Sequence, residues 1–259
     1  MNKTNTYISN RKNILSIYFT AEYPTKGSTQ EMITSLAQSG ADMIEIGIPF
    51  SDPLADGPVI QQSSKIALEN GFMLDNLFND IKAVYQGIEI PLVLMGYFNT
   101  VLVYGIENFL KQCKAVNIDT VILPDLPPEV YEKQYQKLFK KYKVSPVFLI
   151  TPQTPPERLN YINNLSNAYI YAVADNSITG SKSGFSAKQV AYFKRIKQYP
   201  FNVPVIIGFG ISDKQTYTEA CKYANGVIIG SAFIKAIDKT KNLSTAIQQF
   251  IKSIREIPQ

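Results

Sequence analysis

The sequence predicts an α/β protein folded as a single TIM-type (β/α)8 barrel. Short apolar runs rich in Ile and Val alternate with amphipathic segments, and the 259 residues match the usual ~250 residues of that fold. Runs that are almost uninterrupted in hydrophobicity are typical of parallel strands buried on both faces. A doubly wound open sheet is the alternative. It normally has fewer strands, however, and no Gly-x-Gly-x-x-Gly sequence follows the first run.

The predicted strands are all short and apolar. In chain order they are Ile14–Thr20, Met43–Gly47, Leu92–Gly96, Thr120–Leu123, Val147–Ile150, Tyr169–Val173, Val205–Gly208 and Gly226–Ile229. The segments between and after them have apolar residues three and four apart, which is the helical spacing. They are Ser28–Ser39, Met73–Tyr85, Glu107–Val116, Pro128–Lys141, Pro155–Leu165, Ser186–Gln198, Asp213–Tyr223 and Leu243–Arg255.

Two further features of the pattern bear on organisation. Ser28 is followed three residues later by Glu31, the spacing of a capping box at a helix start. No linker rich in Pro, Gly or Ser divides the chain, so we expect residues 1–259 to form one domain.

The composition excludes several classes of chemistry. The chain has no histidine, which rules out Ser-His-Asp triads and His-ligated metals. Cys113 and Cys221 are too few for a common zinc site and are far apart in sequence. No apolar run approaches the ~18 residues of a membrane span, and Met1–Lys12 lacks a secretory signal. We therefore expect a cytoplasmic protein without a metal, although the residues leave an oxygen-ligated Mg²⁺ open.

The net charge of +5 is mild. The densest basic stretch is Lys133–Lys143, which could be a nucleic-acid patch or the solvated face of an amphipathic helix. Apolar residues between its lysines favour the solvated face, so we expect no nucleic-acid partner.

A carboxylate interrupts the second predicted strand at Glu45. Burying it in so apolar a strand is costly without a partner or a purpose. It is either paired with an Arg or Lys across the core, or it is a general acid/base whose pKa is raised by burial. The residues alone leave both interpretations open.

The segment Ile48–Pro58 follows that strand and contains three prolines and a glycine. Asp52 and Asp56 lie in it, where a barrel places its chemistry. Ordinary turn chemistry or a Mg²⁺ site would also use such residues. A loop this long and constrained at a strand end favours a functional role.

Glycines follow the last two predicted strands, in Gly208–Ser212 and Gly230–Ala232. We expect each segment to open a helix, where backbone N–H groups can bind an anion. Ile178–Gly184 follows the sixth strand and could supply a third glycine or a lid. Each glycine alone could simply satisfy a turn, but three segments at one end of a barrel favour a phosphate site.

The stretch EIGIPFSDPLADGP at residues 45–58 closely resembles the signature of the tryptophan synthase α subunit family. The resemblance spans nearly the whole chain, in the family's order, through Tyr18–Ala21, Gly96–Asn99, Pro124–Pro127, Thr179–Gly180, Gly208–Ser212 and Gly230–Ala232. It implies a (β/α)8 barrel that cleaves indole-3-glycerol phosphate to indole and glyceraldehyde 3-phosphate by a retro-aldol step.

The resemblance also implies roles for single residues. Glu45 is implied to protonate the indole carbon from which the side chain departs. Asp56 is implied to hydrogen-bond the indole N–H, and Thr179 to help position the catalytic Glu. The implied phosphate contacts are Gly180, Gly210, Gly230 and Ser231, and the implied ring contacts are Tyr97, Tyr171 and Phe209.

The family's partner is a β subunit that carries pyridoxal phosphate, in an α2β2 complex through which indole passes by a tunnel. Asp52–Pro53 and Asn99 match the side that faces this partner. The resemblance thus implies no cofactor in this chain.

The sequence departs from the family pattern at Glu22, which stands where glycine is common, and at Ala174–Ser177, which replaces the usual start of the lid. Three other functions remain open: a stand-alone indole-3-glycerol phosphate lyase, a different phosphate-binding barrel enzyme such as an epimerase, and an inactive allosteric subunit. Epimerases of that kind usually use a His-ligated metal, which disfavours the second. The presence of both carboxylates disfavours the third.

Overall fold

Eight parallel strands form one closed barrel in the structure, a computed structural model that describes residues 2–53, 56–174 and 184–255. Each strand pairs with its neighbours in chain order, and the eighth closes onto the first. The strands are β1 (Ile14–Thr20), β2 (Met43–Gly47), β3 (Leu92–Met95), β4 (Thr120–Ile122), β5 (Ser145–Ile150), β6 (Ile170–Val173), β7 (Val205–Gly208) and β8 (Gly226–Ile229). The predicted barrel is confirmed.

Helices surround the barrel. They are α1 (Lys3–Ser9), α2 (Thr29–Gln38), α3 (Pro58–Glu69), α4 (Leu74–Val84), α5 (Phe98–Tyr104), α6 (Ile106–Ala115), α7 (Pro128–Val130), α8 (Gln136–Tyr142), α9 (Pro156–Leu165), α10 (Ala187–Gln198), α11 (Lys214–Ala220), α12 (Ser231–Ile237) and α13 (Leu243–Ile254). A 3-10 turn (Tyr85–Gly87) follows α4, and a π-helical turn (Tyr131–Tyr135) joins α7 to α8.

The predicted strand bounds hold to within one residue except in β5. That strand begins at Ser145, two residues before its predicted start, and includes Pro146, which is in register with Val121 of β4. Proline is tolerated near the start of a strand, where a missing N–H costs little. The apolar pattern alone therefore placed the start of β5 too late.

Three helices have no counterpart among the predicted ones, namely α1, α3 and α5, whereas α12 begins at Ser231, where the Gly230–Ala232 segment was expected to open a helix. The polar helix α1 lies across the N-terminal end of the barrel, where the side-chain amides of Asn2 and Asn5 donate to the carbonyls of Asp119 and Ala168. Long-range contacts of this kind leave no periodic signal in the sequence. Helix α3 begins at Pro58, a favourable first position, directly after the segment interpreted as a loop.

The predicted capping box at Ser28 is wrong. The Ser28 backbone is already helical, and its hydroxyl donates to the carbonyls of Thr25 and Tyr23 instead of capping α2. A capping box does occur at Ser186 and Gln189, where α10 begins.

The basic stretch behaves as the solvated face that its pattern favours. Its lysines are exposed, whereas Phe139 within it is fully buried. Among the described residues, no helix is both long enough and apolar enough to cross a lipid bilayer.

Candidate active site

Glu45 lies in the barrel interior, fully buried. It is in register with Tyr18 of β1 and Val93 of β3. The Tyr169 hydroxyl donates to its Oε1 at 3.1 Å, while Oε2 is buried with no hydrogen-bond partner among the described residues. No Lys or Arg of the described ranges pairs with it. The described part of the chain therefore offers no partner for the core ion pair that was one of the two interpretations.

Burial controls the protonation of this carboxyl. It raises the pKa of Glu45 to about 8, against the opposing effect of the Tyr169 hydrogen bond, which lowers it. A carboxyl with such a pKa is mostly protonated at neutral pH and can act as a general acid.

Tyr169 was not predicted as a site residue. Its separation of 124 residues from Glu45 hides the contact from any local pattern. One signal was available, because Tyr169 and Tyr171 are two apart and so share a strand face.

Asp56 lies in the segment after β2, close to the start of α3. The Tyr97 hydroxyl donates to its Oδ2 at 3.1 Å, and the Tyr97 ring stacks on Phe50 at 5.0 Å between centroids. The Gln61 amide donates to the Asp56 carbonyl at 3.0 Å. Burial raises the pKa of Asp56, and the Tyr97 hydrogen bond opposes the rise. The structure thus joins two predicted residues, Asp56 and Tyr97.

Asp52, in the same loop, is exposed and bonded by its neighbour Ser51. The described residues contain no group of three or more His, Cys, Asp or Glu side chains that could hold a metal ion. The described residues of this loop therefore give no support to the interpretation as a Mg²⁺ site.

Two tyrosines lie over glycines of the next strand. An added Cβ at Gly208 would lie 2.0 Å from the Tyr171 hydroxyl, and one at Gly47 would lie 2.2 Å from the Tyr18 hydroxyl. Both strand positions therefore need glycine to leave room for a phenol. The Tyr171 ring also meets Phe209 edge-on at 6.2 Å, so two of the predicted aromatic contacts are neighbours.

The glycine segments differ from one another. Gly230 follows β8 directly, Ser231 opens α12, and a Cβ at Gly230 would lie 3.3 Å from the Tyr18 ring. After β7, Phe209 and Gly210 both have left-handed backbones, with φ of 68° and 73°.

The β7 segment leads into α11, whose start at Lys214 lies one residue from the predicted one. The N-terminus of α11 is capped by Asp213, which accepts from the Thr216 N–H at 2.8 Å. A carboxylate already occupies that helix end, so it is unsuited to a phosphate. Of the other predicted contacts, Thr179 and Gly180 lie outside the described residues.

Fold and site together define a (β/α)8 barrel with two carboxyl groups, those of Glu45 and Asp56, whose pKa values are raised by burial. A family model described as "Tryptophan synthase alpha chain" matches residues 5–259. The chain belongs to the tryptophan synthase alpha chain family, and it is a lyase that cleaves indole-3-glycerol phosphate.

Relatives and solved structures agree with this membership. A tryptophan synthase alpha chain of Flavobacterium psychrophilum is 50% identical, over 98% of this chain and 100% of its own length. Tryptophan synthase subunit alpha from Legionella pneumophila is 32% identical with a TM-score of 0.87, covering 98% of this chain and 97% of that one. A chain of the tryptophan synthase complex from Pyrococcus furiosus is 32% identical with a TM-score of 0.84, covering 94% and 98%.

Proposed function

We propose that Glu45 is the general acid of the cleavage step. Its unpaired Oε2 supports this role most directly, because a buried carboxyl with one free oxygen can give its proton to a substrate atom. The proton goes to the indole carbon that carries the side chain. The bond from that carbon to the side chain then breaks, and its electron pair restores the neutral indole ring. The neighbouring hydroxyl gives its proton to the Glu45 carboxylate and becomes the aldehyde of glyceraldehyde 3-phosphate.

Asp56 is proposed to bind the indole N–H and to stabilise the positive charge that protonation places on the ring. A carboxylate acts this way only when ionised, and the hydrogen bond from Tyr97 favours the ionised form. Tyr97 in turn is held by its stack on Phe50. The two carboxyls thus have opposite tasks, with one protonated and one ionised.

The remaining contacts with the substrate are proposed from the chemical match between each side chain or backbone group and the part of the substrate it would bind. Aromatic side chains at Tyr171 and Phe209 suit an indole ring. Gly210, Gly230 and Ser231 are proposed phosphate contacts, together with Thr179 and Gly180 at the lid. Among the described residues, the backbone N–H groups at the start of α12 are the proposed hydrogen-bond donors to the phosphate.

The partner proposed for this chain is a tryptophan synthase β subunit, in an α2β2 complex where the partner holds pyridoxal phosphate and this chain holds no cofactor. Helix α5 supports a docking surface, since Leu102 is 46% exposed and Val103 is 83% exposed. Asn99 on the same helix and Asp52 are also exposed. We further propose that residues 1–259 are one domain and work in the cytoplasm.

A stand-alone lyase is the alternative, and indole release separates the two. The experiment measures indole formed from indole-3-glycerol phosphate by this chain, with and without a β subunit. Strong acceleration on mixing is expected, and Val103→Asp should remove it while leaving the slow release unchanged. Met73→Asp, which alters another exposed apolar residue, is the matched control. Fast release that ignores the β subunit would overturn the partnership.

A further inference from the structure

Tyr18 places a phenol hydroxyl inside the candidate active site. Its side chain extends from β1 into the barrel, in register with Glu45, and the residue is only 9% exposed. The hydroxyl lies over Gly47, the last residue of β2, and the ring lies against Gly230. Tyr18 therefore lies against one proposed phosphate contact, Gly230, and on the strand next to that of the proposed acid.

The hydroxyl has almost no partner in the protein. Among the described residues its one hydrogen-bond contact is Thr20 Oγ1 at 3.5 Å, the outer limit for such a bond. Thr20 has a far closer partner in the hydroxyl of Ser63, at 2.7 Å. A nearly buried hydroxyl without a good partner is uncommon and calls for an explanation.

The surroundings keep this phenol neutral. Burial raises the pKa of Tyr18 well above its usual value, and the nearby carboxyls of Asp56 and Glu45 add to the rise. A neutral phenol can both donate and accept a hydrogen bond. It is suited to a neutral partner with the same capacity, such as an alcohol.

We propose that the Tyr18 hydroxyl binds a hydroxyl group of the substrate's glycerol side chain and so selects substrates that carry one. This rests on the proposed function. Indole-3-glycerol phosphate has its indole at one end and its phosphate at the other, with the two hydroxyl-bearing carbons between them. Tyr18 lies against Gly230, which is assigned to the phosphate, and its hydroxyl is close enough to the Asp56 carboxyl, which is assigned to the indole N–H, to interact with it.

The test compares two ligands in the Tyr18→Phe variant. One is indole-3-glycerol phosphate, and the other keeps the indole and the phosphate but joins them by a chain without hydroxyls. The binding of both ligands is measured by calorimetry in a Glu45→Gln background, because this variant is expected to bind the substrate without cleaving it. Loss of one hydrogen bond should weaken substrate binding about three- to tenfold and leave the deoxy analogue unchanged.

A matched control is Tyr161→Phe, which removes a phenol hydroxyl bonded to Glu132 on the outer surface and should alter neither affinity. Equal weakening of both ligands would show a merely structural role, and no weakening of substrate would show no contact; either overturns the proposal. A Tyr18→Phe chain that fails to fold would also contradict it, since a contact of 3.5 Å should not hold the barrel together. The proposed function itself fails on a different result. In that case the Glu45→Gln variant, with Tyr18 unchanged, binds neither ligand, and the unmodified chain releases no indole.

Discussion

The Tyr169 hydroxyl and Glu45 Oε1 are 3.1 Å apart, joining β2 to the residue just before β6 across the barrel interior. The contact fixes one carboxyl oxygen and leaves the other unpaired. It also opposes the rise in pKa that burial causes. Tyr169 is thus a positioning residue whose effect on Glu45 can be measured through pH dependence.

Tyr169→Phe should move the alkaline limb of kcat/KM to higher pH. The hydrogen bond lowers the pKa of Glu45, so its removal raises that pKa and keeps the acid protonated further into the alkaline range. Loss of orientation should also lower kcat about three- to tenfold at pH 7. The measurement is a pH profile of indole release. A profile that keeps its limb near pH 8 would show that the tyrosine only fills space.

Glu45→Gln should stabilise the protein, and increasingly so as pH rises. The pKa of Glu45 goes from 4.5 unfolded to about 8 folded, so the folded chain holds a proton that the unfolded chain has lost. Stability of the unmodified protein therefore falls between pH 4.5 and 8. The variant escapes this loss and should gain about 3 kcal/mol at pH 7. Urea unfolding at pH 4 and pH 7 measures it, and an equal difference at both pH values would refute the buried acid.

Gly47→Ala should displace the Tyr18 hydroxyl, which would lie 2.2 Å from the new methyl group. Overpacking of this kind costs about 1–3 kcal/mol of stability, and the shifted phenol should raise KM for the substrate. Thermal unfolding and steady-state kinetics measure the two effects. The control is Gly87→Ala, where nothing lies within 4 Å of an added Cβ. A Gly47→Ala enzyme with unchanged stability and KM would contradict the described packing.

Glu22→Gly should destabilise the chain although it restores the residue common in the family. Glu22 has a left-handed backbone, with φ of 62°, and glycine would relieve about 1 kcal/mol of strain. Its carboxylate, however, accepts from the Gly27 N–H at 2.7 Å and the Thr29 hydroxyl at 3.0 Å. Losing both bonds outweighs the relief, so we expect a net loss of about 2 kcal/mol.

Urea unfolding tests this, with Glu22→Gln as the comparison because it keeps one acceptor and should lose less. The rate of indole release should stay the same in both variants, since the Glu22 carboxylate bonds Gly27 and Thr29 and, among the described residues, none of the proposed site. A gain in stability on Glu22→Gly would show that backbone strain dominates at this position.

The barrel could be predicted because each strand carries its own local signal. β1, β2, β7 and β8 have their predicted bounds, since apolar β-branched runs need no distant information. The start of β5 and the presence of α1 depend on contacts with residues far along the chain. The capping box predicted at Ser28 was wrong for a different reason, because the Ser28 hydroxyl donates to the nearby carbonyls of Thr25 and Tyr23 instead of accepting from the backbone of α2.

The candidate site also combines residues that the sequence indicates locally with contacts that only the fold creates. The residues drew attention to Glu45 and to the loop that carries Asp52 and Asp56, because a carboxylate is conspicuous in an apolar strand or a proline-stiffened loop, and the family resemblance then implied the roles of Glu45 and Asp56. Their partners could not be paired from the sequence, since Tyr97 is 41 residues from Asp56 and Tyr169 is 124 from Glu45. Barrel closure brings these residues together, and only the fold specifies which tyrosine meets which carboxyl.

The central claim is that Glu45 supplies the proton for cleavage, and turnover of Glu45→Gln tests it most directly. Indole release from indole-3-glycerol phosphate is measured at pH 7 with the β subunit present, beside Glu107→Gln, which changes a surface glutamate paired with Lys141. We expect Glu45→Gln to lose at least about a thousandfold in kcat while keeping its fold and substrate affinity, and Glu107→Gln to be unaffected. A Glu45→Gln enzyme that retains most of its turnover would contradict the assignment of the acid.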